Sequence, residues 1–176
     1  MSITMRRLDL LGLAGLLPDL IALLRDAVES GASIGFVQPV NTAELLHYWL
    51  SVIDEVRGHA KIVLVSEDQE GLVGSVQMTL EKRANGNHRA EVQKLMVHRQ
   101  ARRQGIAQQL MVKIEEIARE EKRSLLILDT RSSDAAEQLY LKLGYLHVGT
   151  IPQYARNPED GALEATVFMY KILEDA

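Results

Sequence analysis

The stretch RRQGIA, residues 102–107, constrains the fold of this chain more than any other segment. Strand-forming residues end just before it, at Val97, and a helix is predicted after it, over about 105–121. One face of that helix is apolar and carries Ile106, Leu110, Ile114 and Ile117. A glycine between a strand and a helix allows a tight turn, and the first turn of the helix offers unpaired N–H groups to an anion. The segment therefore predicts a strand–turn–helix unit that can bind phosphate.

The residue types in this turn suit a pyrophosphate group. Gly105 and Ala107 are small enough for a phosphate to approach the backbone, whereas Arg102, Arg103 and Gln104 add charge and hydrogen-bond donors. The turn is not a Walker motif, because no Gly-Lys-Ser/Thr follows it, and it also lacks the G-x-G-x-x-G pattern of dinucleotide-binding folds. A basic turn leading into a surface helix is the alternative, but the flanking strand and helix favour a phosphate site.

The remaining pattern predicts a mixed α/β fold with a helical first third and a β-α-β-α-β second half. Helices are predicted at about 17–30, from Asn41 to about residue 56, at 105–121 and at 133–143. Strands are predicted at 4–8, 61–66, 71–80, 89–97, 125–130, 145–150 and 165–171. Gly144 is expected to end the last helix in the left-handed conformation. No repeat or linker divides the sequence, so we expect one domain over residues 1–176.

Composition and motif content argue against several classes of protein. A net charge of -4 does not favour general binding to nucleic acid, and Glu115 and Glu116 would repel phosphates from a recognition helix there. Without cysteine there is no disulfide, thiolate nucleophile or cysteine-based zinc site. The five histidines lack ligand spacing, so no metal is predicted. Serine hydrolysis is not favoured either, since no G-x-S-x-G elbow is present.

The first residues have some features of a signal peptide, because Arg6 and Arg7 precede the apolar run LDLLGLAGLL. Asp9 interrupts this run, Pro18 ends it and no small-x-small cleavage site follows, so a signal peptide is not expected. No segment approaches the roughly 18 apolar residues of a membrane span. We expect a cytoplasmic protein without a membrane or nucleic-acid partner.

Two longer segments resemble a known family. LMVHRQARRQGIAQQLM resembles the central motif of the GCN5-related N-acetyltransferases (GNAT), where an Arg/Gln-x-x-Gly-x-Gly/Ala turn holds the pyrophosphate of acetyl coenzyme A (acetyl-CoA). DAAEQLYLKLGY is similar to the following helix of that family. More narrowly, GASIGF, NHRAEVQKLMV and LLILDT resemble segments of the tabtoxin-resistance acetyltransferases, which acetylate an amino group of a β-lactam amino-acid toxin. The resemblance implies the GNAT fold, a central mostly antiparallel sheet flanked by helices, and acetyl-CoA as cosubstrate.

Three positions depart from the family pattern. Arg99 stands where the family often has proline, and Arg103 stands where glycine is common; both are expected to leave the backbone donors of the turn available. Ser133 occupies the position of an asparagine that contacts the cofactor in many members. Ser133 stays a candidate cofactor ligand, and its hydroxyl is alternatively expected to cap the helix that follows.

The resemblance also implies roles for three side chains. Glu91, in the central strand, and Asp129, near the end of the next, are candidate bases for the acceptor ammonium and are expected beside the gap where the two strands diverge. Tyr140 matches the tyrosine that protonates the sulfur of coenzyme A. The alternatives are an exposed cross-strand Glu91, an Asp129 that caps the loop at 130–132 and a Tyr140 that only packs in the core.

The backbone of the central strand is expected to complete the cofactor site. A bulge would allow the N–H of Leu95 or Met96 to reach the thioester oxygen, while the strand up to Val97 pairs with the pantetheine amides. The polar pair Gln93-Lys94 is compatible with such a bulge and equally with an exposed edge. Ile106, directly after the turn glycine, completes the predicted cofactor-binding set.

These features predict an acetyl-CoA-dependent N-acetyltransferase for the primary amine of a small molecule such as a tabtoxinine-β-lactam-like toxin. The two carboxylates favour a cationic amine, and the glycine-rich segment GASIGF, 31–36, allows close approach of a small ligand. An acetyltransferase for another small amine, such as an amino acid, a polyamine or an aminoglycoside, and a non-catalytic acetyl-CoA sensor are the alternatives. A homodimer is left open.

Overall fold

A computed structural model of the chain describes residues 3–173, and its centre is a seven-stranded sheet. The strands are β1 (Thr4–Arg7), β2 (Lys61–Glu67), β3 (Leu72–Leu80), β4 (Arg89–Val97), β5 (Leu125–Arg131), β6 (Leu146–Arg156) and β7 (Leu163–Ile172). The helices are α1 (Leu10–Gly15), α2 (Leu17–Glu29), α3 (Thr42–Arg57), α4 (Ile106–Glu120) and α5 (Ala135–Lys142). The strand order is β1-β2-β3-β4-β5-β7-β6, and neighbours are antiparallel except for the parallel pair β4–β5. The predicted mixed, mostly antiparallel sheet flanked by helices is confirmed.

The sheet separates two apolar cores, because each of its faces is covered by helices. Helices α4 and α5 cover one face, where Leu110, Ile114 and Tyr140 pack against the strands. Helices α1 to α3 cover the other face, where Trp49 is completely buried. Asn41 caps α3 as predicted, since its side chain accepts a hydrogen bond from the Ala43 N–H at 2.8 Å. The two helical layers thus hold the central strands in place.

Strand β4 contains the predicted bulge. Its pairing with β3 shifts register between Gln93 and Met96, so that Lys94 and Leu95 together stand opposite one residue of β3. Lys94 has a left-handed φ of 53°. Residues four apart on a regular strand share a face, yet Val92 and Met96 belong to opposite cores. The extra residue therefore reverses the face of the sheet to which the last side chains of β4 point. This reversal lies in the middle of the sheet.

A gap opens in the sheet directly after this point. Strands β4 and β5 pair only from Arg89–Leu125 to Glu91–Ile127. Beyond these pairs β4 follows β3, whereas β5 follows β7 as far as Arg131. The two parallel strands therefore diverge, as expected from the sequence, and leave a wedge between them.

Three local features differ from the sequence-based expectations. The apolar run after Arg7 forms the short helix α1, and Asp9 is its N-cap, with its carboxylate accepting from the Gly12 N–H at 2.7 Å. Strand β6 continues to Arg156, well beyond the predicted end at Thr150.

None of the helices within residues 3–173 has the length and apolarity that a membrane span requires.

The third difference concerns the start of α5. The helix begins at Ala135, and its N-cap is Asp134, whose carboxylate accepts from the Ala135 N–H at 2.6 Å. The expectation that Ser133 caps this helix is therefore wrong. Ser133 has a left-handed φ of 64°, and its N–H donates to Glu137 at 2.6 Å.

A buried ion pair fixes the other end of α5. Lys171 of β7 donates to the carboxylate of Glu115 and to the carbonyl of Leu143, both at 2.7 Å. Gly144 follows with a φ of 85°, the predicted left-handed end of the helix. Because α5 is held at both ends, the side chains on its inner face have a defined position relative to the gap.

Candidate active site

Two adjoining clefts open where β4 and β5 diverge. The first, called the turn cleft here, has a volume of about 750 Å³ and lies between the end of β4, the 102–107 turn and the start of α5. The second, called the carboxylate cleft, has a volume of about 320 Å³ and contains Glu91 and Asp129. Leu95, at the bulge, and Ala136, in the first turn of α5, line both clefts. The clefts therefore meet beside the bulge.

Most of the predicted cofactor-binding residues line the turn cleft. They are Leu95, Met96, Val97, Arg102, Arg103, Gly105, Ile106 and Ala107. Gln104 is exposed and is not part of the cleft wall, and Ser133 lines neither cleft. Binding roles for all ten residues stay predictions.

The backbone of the turn is arranged so that its N–H groups are accessible. Arg103 and Gly105 have left-handed φ angles of 64° and 79°. Gly105 is the N-cap of α4 and provides no side-chain cap, so no side chain competes for the first N–H groups of the helix. An anion in the turn cleft would therefore meet unoccupied donors at the positive end of the helix dipole.

Two arginines hold the turn against the end of α2. The Arg102 side chain donates to the carbonyl of Val97 at 3.0 Å and to the hydroxyl of Ser30. Arg99 pairs with Asp26 through its guanidinium, and its backbone N–H donates to the same carboxylate at 2.9 Å. A proline at position 99 would lack this N–H, so the departure from the family pattern adds a tie between the turn and α2.

The two predicted bases line the same cleft. Glu91 is paired with Ile127 of β5, and Asp129 lies two residues further along β5 on the same face. Partial burial, and then the nearby charge of Glu91, raise the pKa of Asp129, while Lys94 opposes this rise. No hydrogen bond joins the Asp129 side chain to residues 130–132 of the described chain, so the alternative of a loop cap has no support.

Tyr140 lines the carboxylate cleft from α5 and is only 6% exposed. Its ring centroid is 5.8 Å from that of Tyr145, so the residue also packs in the core. Burial, followed by the charges of Asp129 and Asp134, raises the pKa of Tyr140 above its ordinary value. The hydroxyl is therefore protonated at neutral pH.

Sequence reasoning missed two cationic residues of the site. Arg131 lines both clefts; it donates to the carbonyl of Gly31 at 2.6 Å and pairs with Glu164 at 2.9 Å. It thereby holds the 31–36 segment over the sheet, and residues 32–35 form one wall of the carboxylate cleft. Lys94 lines the same cleft from the bulge. The polar pair Gln93-Lys94 on β4 was the available signal in the sequence, but the direction in which the Lys94 side chain points depends on the bulge.

Replacing Gly105 with alanine is expected to raise the dissociation constant of acetyl-CoA about tenfold or more, because a methyl group would occupy space beside the phosphate donors. Within the protein the new Cβ would meet nothing closer than the Gln109 side chain at 3.8 Å. Calorimetric titration with acetyl-CoA measures the effect.

Gly144→Ala is the matched control for this substitution. Gly144 has a similar φ of 85°, and its Cβ would meet only Lys171 at 3.9 Å. Both variants are expected to lose about 1 kcal/mol of folding free energy from backbone strain. Equal acetyl-CoA affinity in the two variants would contradict a phosphate contact at the turn.

Within residues 3–173 no three His, Asp or Glu side chains are grouped closely enough to hold a metal ion.

Comparisons with known proteins identify a family and structures of the same fold. The model of the family described as "Acetyltransferase (GNAT) family" matches residues 22–145, more than half of the chain. A ribosomal-protein-alanine N-acetyltransferase from Brucella melitensis has 28% identity and a TM-score of 0.79, with 97% of this chain and 99% of that chain covered. The YncA acetyltransferase of Salmonella typhimurium, solved with its cofactor acetyl-CoA, has 20% identity, a TM-score of 0.77 and coverages of 100% and 96%. A phosphinothricin acetyltransferase from Sinorhizobium meliloti, in complex with acetyl-CoA, has 18% identity, a TM-score of 0.77 and coverages of 98% and 89%.

Proposed function

We propose that this chain, which belongs to the acetyltransferase (GNAT) family, transfers the acetyl group of acetyl-CoA to the primary amine of a small molecule. The observation that carries the proposal is the junction of the two clefts at Leu95 and Ala136. One cleft contains an uncapped helix start suited to a pyrophosphate, and the other contains two carboxylates suited to an ammonium. Reaction at the junction requires both substrates to be bound together.

The turn cleft fits acetyl-CoA in size and in the chemistry of its walls. Its volume of about 750 Å³ is in the range of cofactor sites. The N–H groups after Gly105, together with Arg102 and Arg103, would bind the pyrophosphate, and the edge of β4 from Leu95 to Val97 would pair with the pantetheine amides. Acetyl-CoA supplies the acetyl group as a thioester.

Three groups of the chain would then act on the reacting atoms. Asp129, assisted by Glu91, accepts the proton of the acceptor ammonium and leaves a neutral, nucleophilic amine. A backbone N–H of Leu95 or Met96, at the bulge, donates to the thioester oxygen and stabilises the negative charge that develops there. Tyr140 donates its proton to the sulfur as the carbon–sulfur bond breaks. The acetylated nitrogen then loses its second proton, which passes through water to the Tyr140 oxygen and restores the hydroxyl.

The size of the carboxylate cleft supports a small acceptor. A volume of about 320 Å³ is at the lower end for small-molecule sites and leaves little room for a protein segment. The Brucella structure is named for an alanine of a ribosomal protein, and the Sinorhizobium structure for phosphinothricin. We favour a small amine, with a tabtoxinine-β-lactam-like toxin as one candidate and an amino acid, polyamine or aminoglycoside as the others.

The experiment that tests the proposal is incubation of the purified protein with acetyl-CoA and a panel of small amines. Release of free thiol and the mass of the acetylated amine report turnover, and calorimetry reports cofactor binding separately. Turnover of at least one small amine supports the proposal. Saturable acetyl-CoA binding without turnover of any amine would favour the alternative of a sensor, and absence of binding would contradict the assignment of the turn cleft.

We also propose a homodimer formed through β6. This strand is at the end of the sheet, so its outer edge has no partner strand within the described residues, and Val148 on it is 69% exposed. Two copies of such a strand can pair antiparallel about a twofold axis.

Light scattering is expected to give twice the mass of the chain, and Val148→Glu is expected to halve the measured mass. Leu11→Glu, at an apolar residue of α1 that is 83% exposed, is the control; an equal change in both variants would contradict the interface.

The remaining expectations concern extent and location. We propose that residues 1–176 act as one acetyltransferase domain, although residues 1–2 and 174–176 lie outside the described part. A cytoplasmic location is consistent with the use of acetyl-CoA and with the absence of cysteine from the sequence.

A further inference from the structure

Lys94 is a half-buried cation in the carboxylate cleft, and it forms no ion pair with any residue between 3 and 173. The bulge in β4 gives it a left-handed φ of 53° and places it in the cleft wall with Glu91 of its own strand and Asp129 of β5. Among the described residues no carboxylate is within ion-pair distance of its ammonium, and no hydrogen bond reaches it. The second cation of this cleft, Arg131, is by contrast paired with Glu164 at 2.9 Å.

The energetics of this arrangement point to a missing anion. Removing an ammonium from water without pairing it is unfavourable. Accordingly burial, followed by the charge of Lys61, lowers the pKa of Lys94. The charges of Asp129 and Glu91, which lie beyond ion-pair distance, oppose this shift only in part. The Tyr48 ring, whose centroid is 5.6 Å from the Lys94 Nζ, offsets only part of this cost. A negatively charged group of a bound ligand would supply the remaining stabilisation.

The wall opposite Lys94 leaves space for such a group. Gly35 has a φ of 90°, and a Cβ atom built on it would lie 3.5 Å from the Lys94 Nζ. Any larger side chain at position 35 would therefore cover the ammonium. With glycine there, the 32–35 wall leaves the cation accessible from the cleft.

We propose that Lys94 binds the carboxylate of the acceptor, and that the acceptor is a free amino acid rather than a simple amine or a peptide. The inference rests on the proposed N-acetyltransferase function and names its substrate class. Glu91 and Asp129 match the ammonium of a zwitterion, and Lys94 matches its carboxylate. A polyamine has no group for Lys94, and the amino terminus of a peptide carries an amide in place of the adjacent carboxylate.

The test compares L-amino acids with their C-terminal carboxamides as acceptors in the thiol-release assay. The carboxamide keeps the size of the molecule but loses the negative charge. Because the amide also lowers the pKa of the adjacent amine, kcat/KM is compared per concentration of free amine. Loss of a charge-assisted contact is expected to make kcat/KM about 10- to 100-fold lower for carboxamides than for the matching acids. Lys94→Met removes the charge and keeps an unbranched side chain of similar length. In this variant the ratio of kcat/KM for the acid to kcat/KM for the carboxamide is expected to fall towards one.

Two further variants separate binding from structure. Lys94→Arg keeps a cation and is expected to restore part of the preference for acids, whereas Lys113→Met removes an exposed lysine of α4 and is expected to leave the ratio unchanged. The change in the ratio between variants at one pH is the decisive quantity, because the difference in amine pKa between the two acceptors is the same for every variant. Wild-type preference for carboxamides, or equal losses for both acceptors in Lys94→Met, would overturn the assignment while the acetyltransferase function stands. Absence of turnover with every amine, simple amines included, would instead overturn the proposed function, and this inference with it.

Discussion

Replacing Tyr140 with phenylalanine is expected to lower kcat about 10²- to 10⁴-fold, the usual contribution of a positioned general acid. In the proposed mechanism the hydroxyl acts on the sulfur only while the carbon–sulfur bond breaks, so its removal is expected to affect the transition state and not the binding of acetyl-CoA. The dissociation constant of acetyl-CoA, measured by calorimetry, is therefore expected to stay unchanged. Steady-state thiol release measures the loss in kcat.

The pKa of Tyr140 gives this prediction a second readout. An ordinary tyrosine has a pKa of about 10 and a thiol about 8.5, so proton transfer to a free thiolate is already uphill by about 2 kcal/mol. Burial raises the pKa of Tyr140 and widens this difference, which requires transfer to occur together with bond cleavage. Because the folded-state pKa is raised, Tyr140 stays protonated up to at least about pH 10. No basic limb from Tyr140 is therefore expected below that pH.

Tyr170→Phe is the matched control for Tyr140→Phe. It removes a hydroxyl from β7, and Tyr170 is not part of the wall of either cleft. Its kcat is expected to equal that of the wild type. If Tyr140→Phe also kept full activity, the tyrosine would be a core residue only, which is what its contact with Tyr145 by itself indicates.

The sequence was most informative where local chemistry decides the structure. The apolar stripe of α4, the cap at Asn41 and the left-handed Gly144 each depend on a few neighbouring residues, and the structure has all three. The bulge was expected from the family resemblance, whereas the polar residues Gln93 and Lys94 alone left a bulge and an exposed edge equally open. These features together determine where β4 ends and where the turn begins.

Other elements could not be predicted because they depend on contacts distant in the sequence or on very short segments. Helix α1 has six residues, too few to show a helical period, and its cap Asp9 was interpreted as a break in an apolar run. Strand β6 passes through Pro152, which normally ends a strand. Proline is tolerated there because the pairing of β6 with β7 shifts register between Ile151 and Ala155, so Pro152 lies in an irregular part of the ladder.

The same limit applies to the candidate site. Glu91, Asp129 and Tyr140 were located from the motifs, and the structure brings them into one cleft. The cations were missed, because Arg131 is recognisable only from its contact with Gly31, a hundred residues away. Lys94 is recognisable as a residue of the site only when the position of the bulge and the course of the 32–35 wall are both known. Sequence motifs thus located the acidic half of the site, and tertiary packing supplied the basic half.

Asp129→Asn is expected to lower kcat/KM about 10²- to 10⁴-fold near neutral pH, where the acceptor amine is an ammonium that must lose its proton. The deficit is expected to shrink as the pH rises towards the pKa of the amine, because the free amine then needs no base. Asp54→Asn, at an exposed carboxylate of α3 paired with Arg57, is the control and is expected to leave the profile unchanged. A deficit in Asp129→Asn that stays constant across the pH range would contradict a role as base.

Glu91→Gln distinguishes the two carboxylates, because the charge of Glu91 raises the pKa of Asp129. Removal of that charge favours ionised Asp129, so the acid limb of kcat/KM is expected to move to lower pH, with a smaller loss in rate than in Asp129→Asn. Lys94→Met removes a charge that opposes the rise, so the same limb is expected to move to higher pH. A larger loss in Glu91→Gln than in Asp129→Asn, with an unmoved limb, would assign the base to Glu91. Opposite shifts in Glu91→Gln and Lys94→Met would instead indicate that Asp129 is the base and that both neighbours adjust its proton affinity.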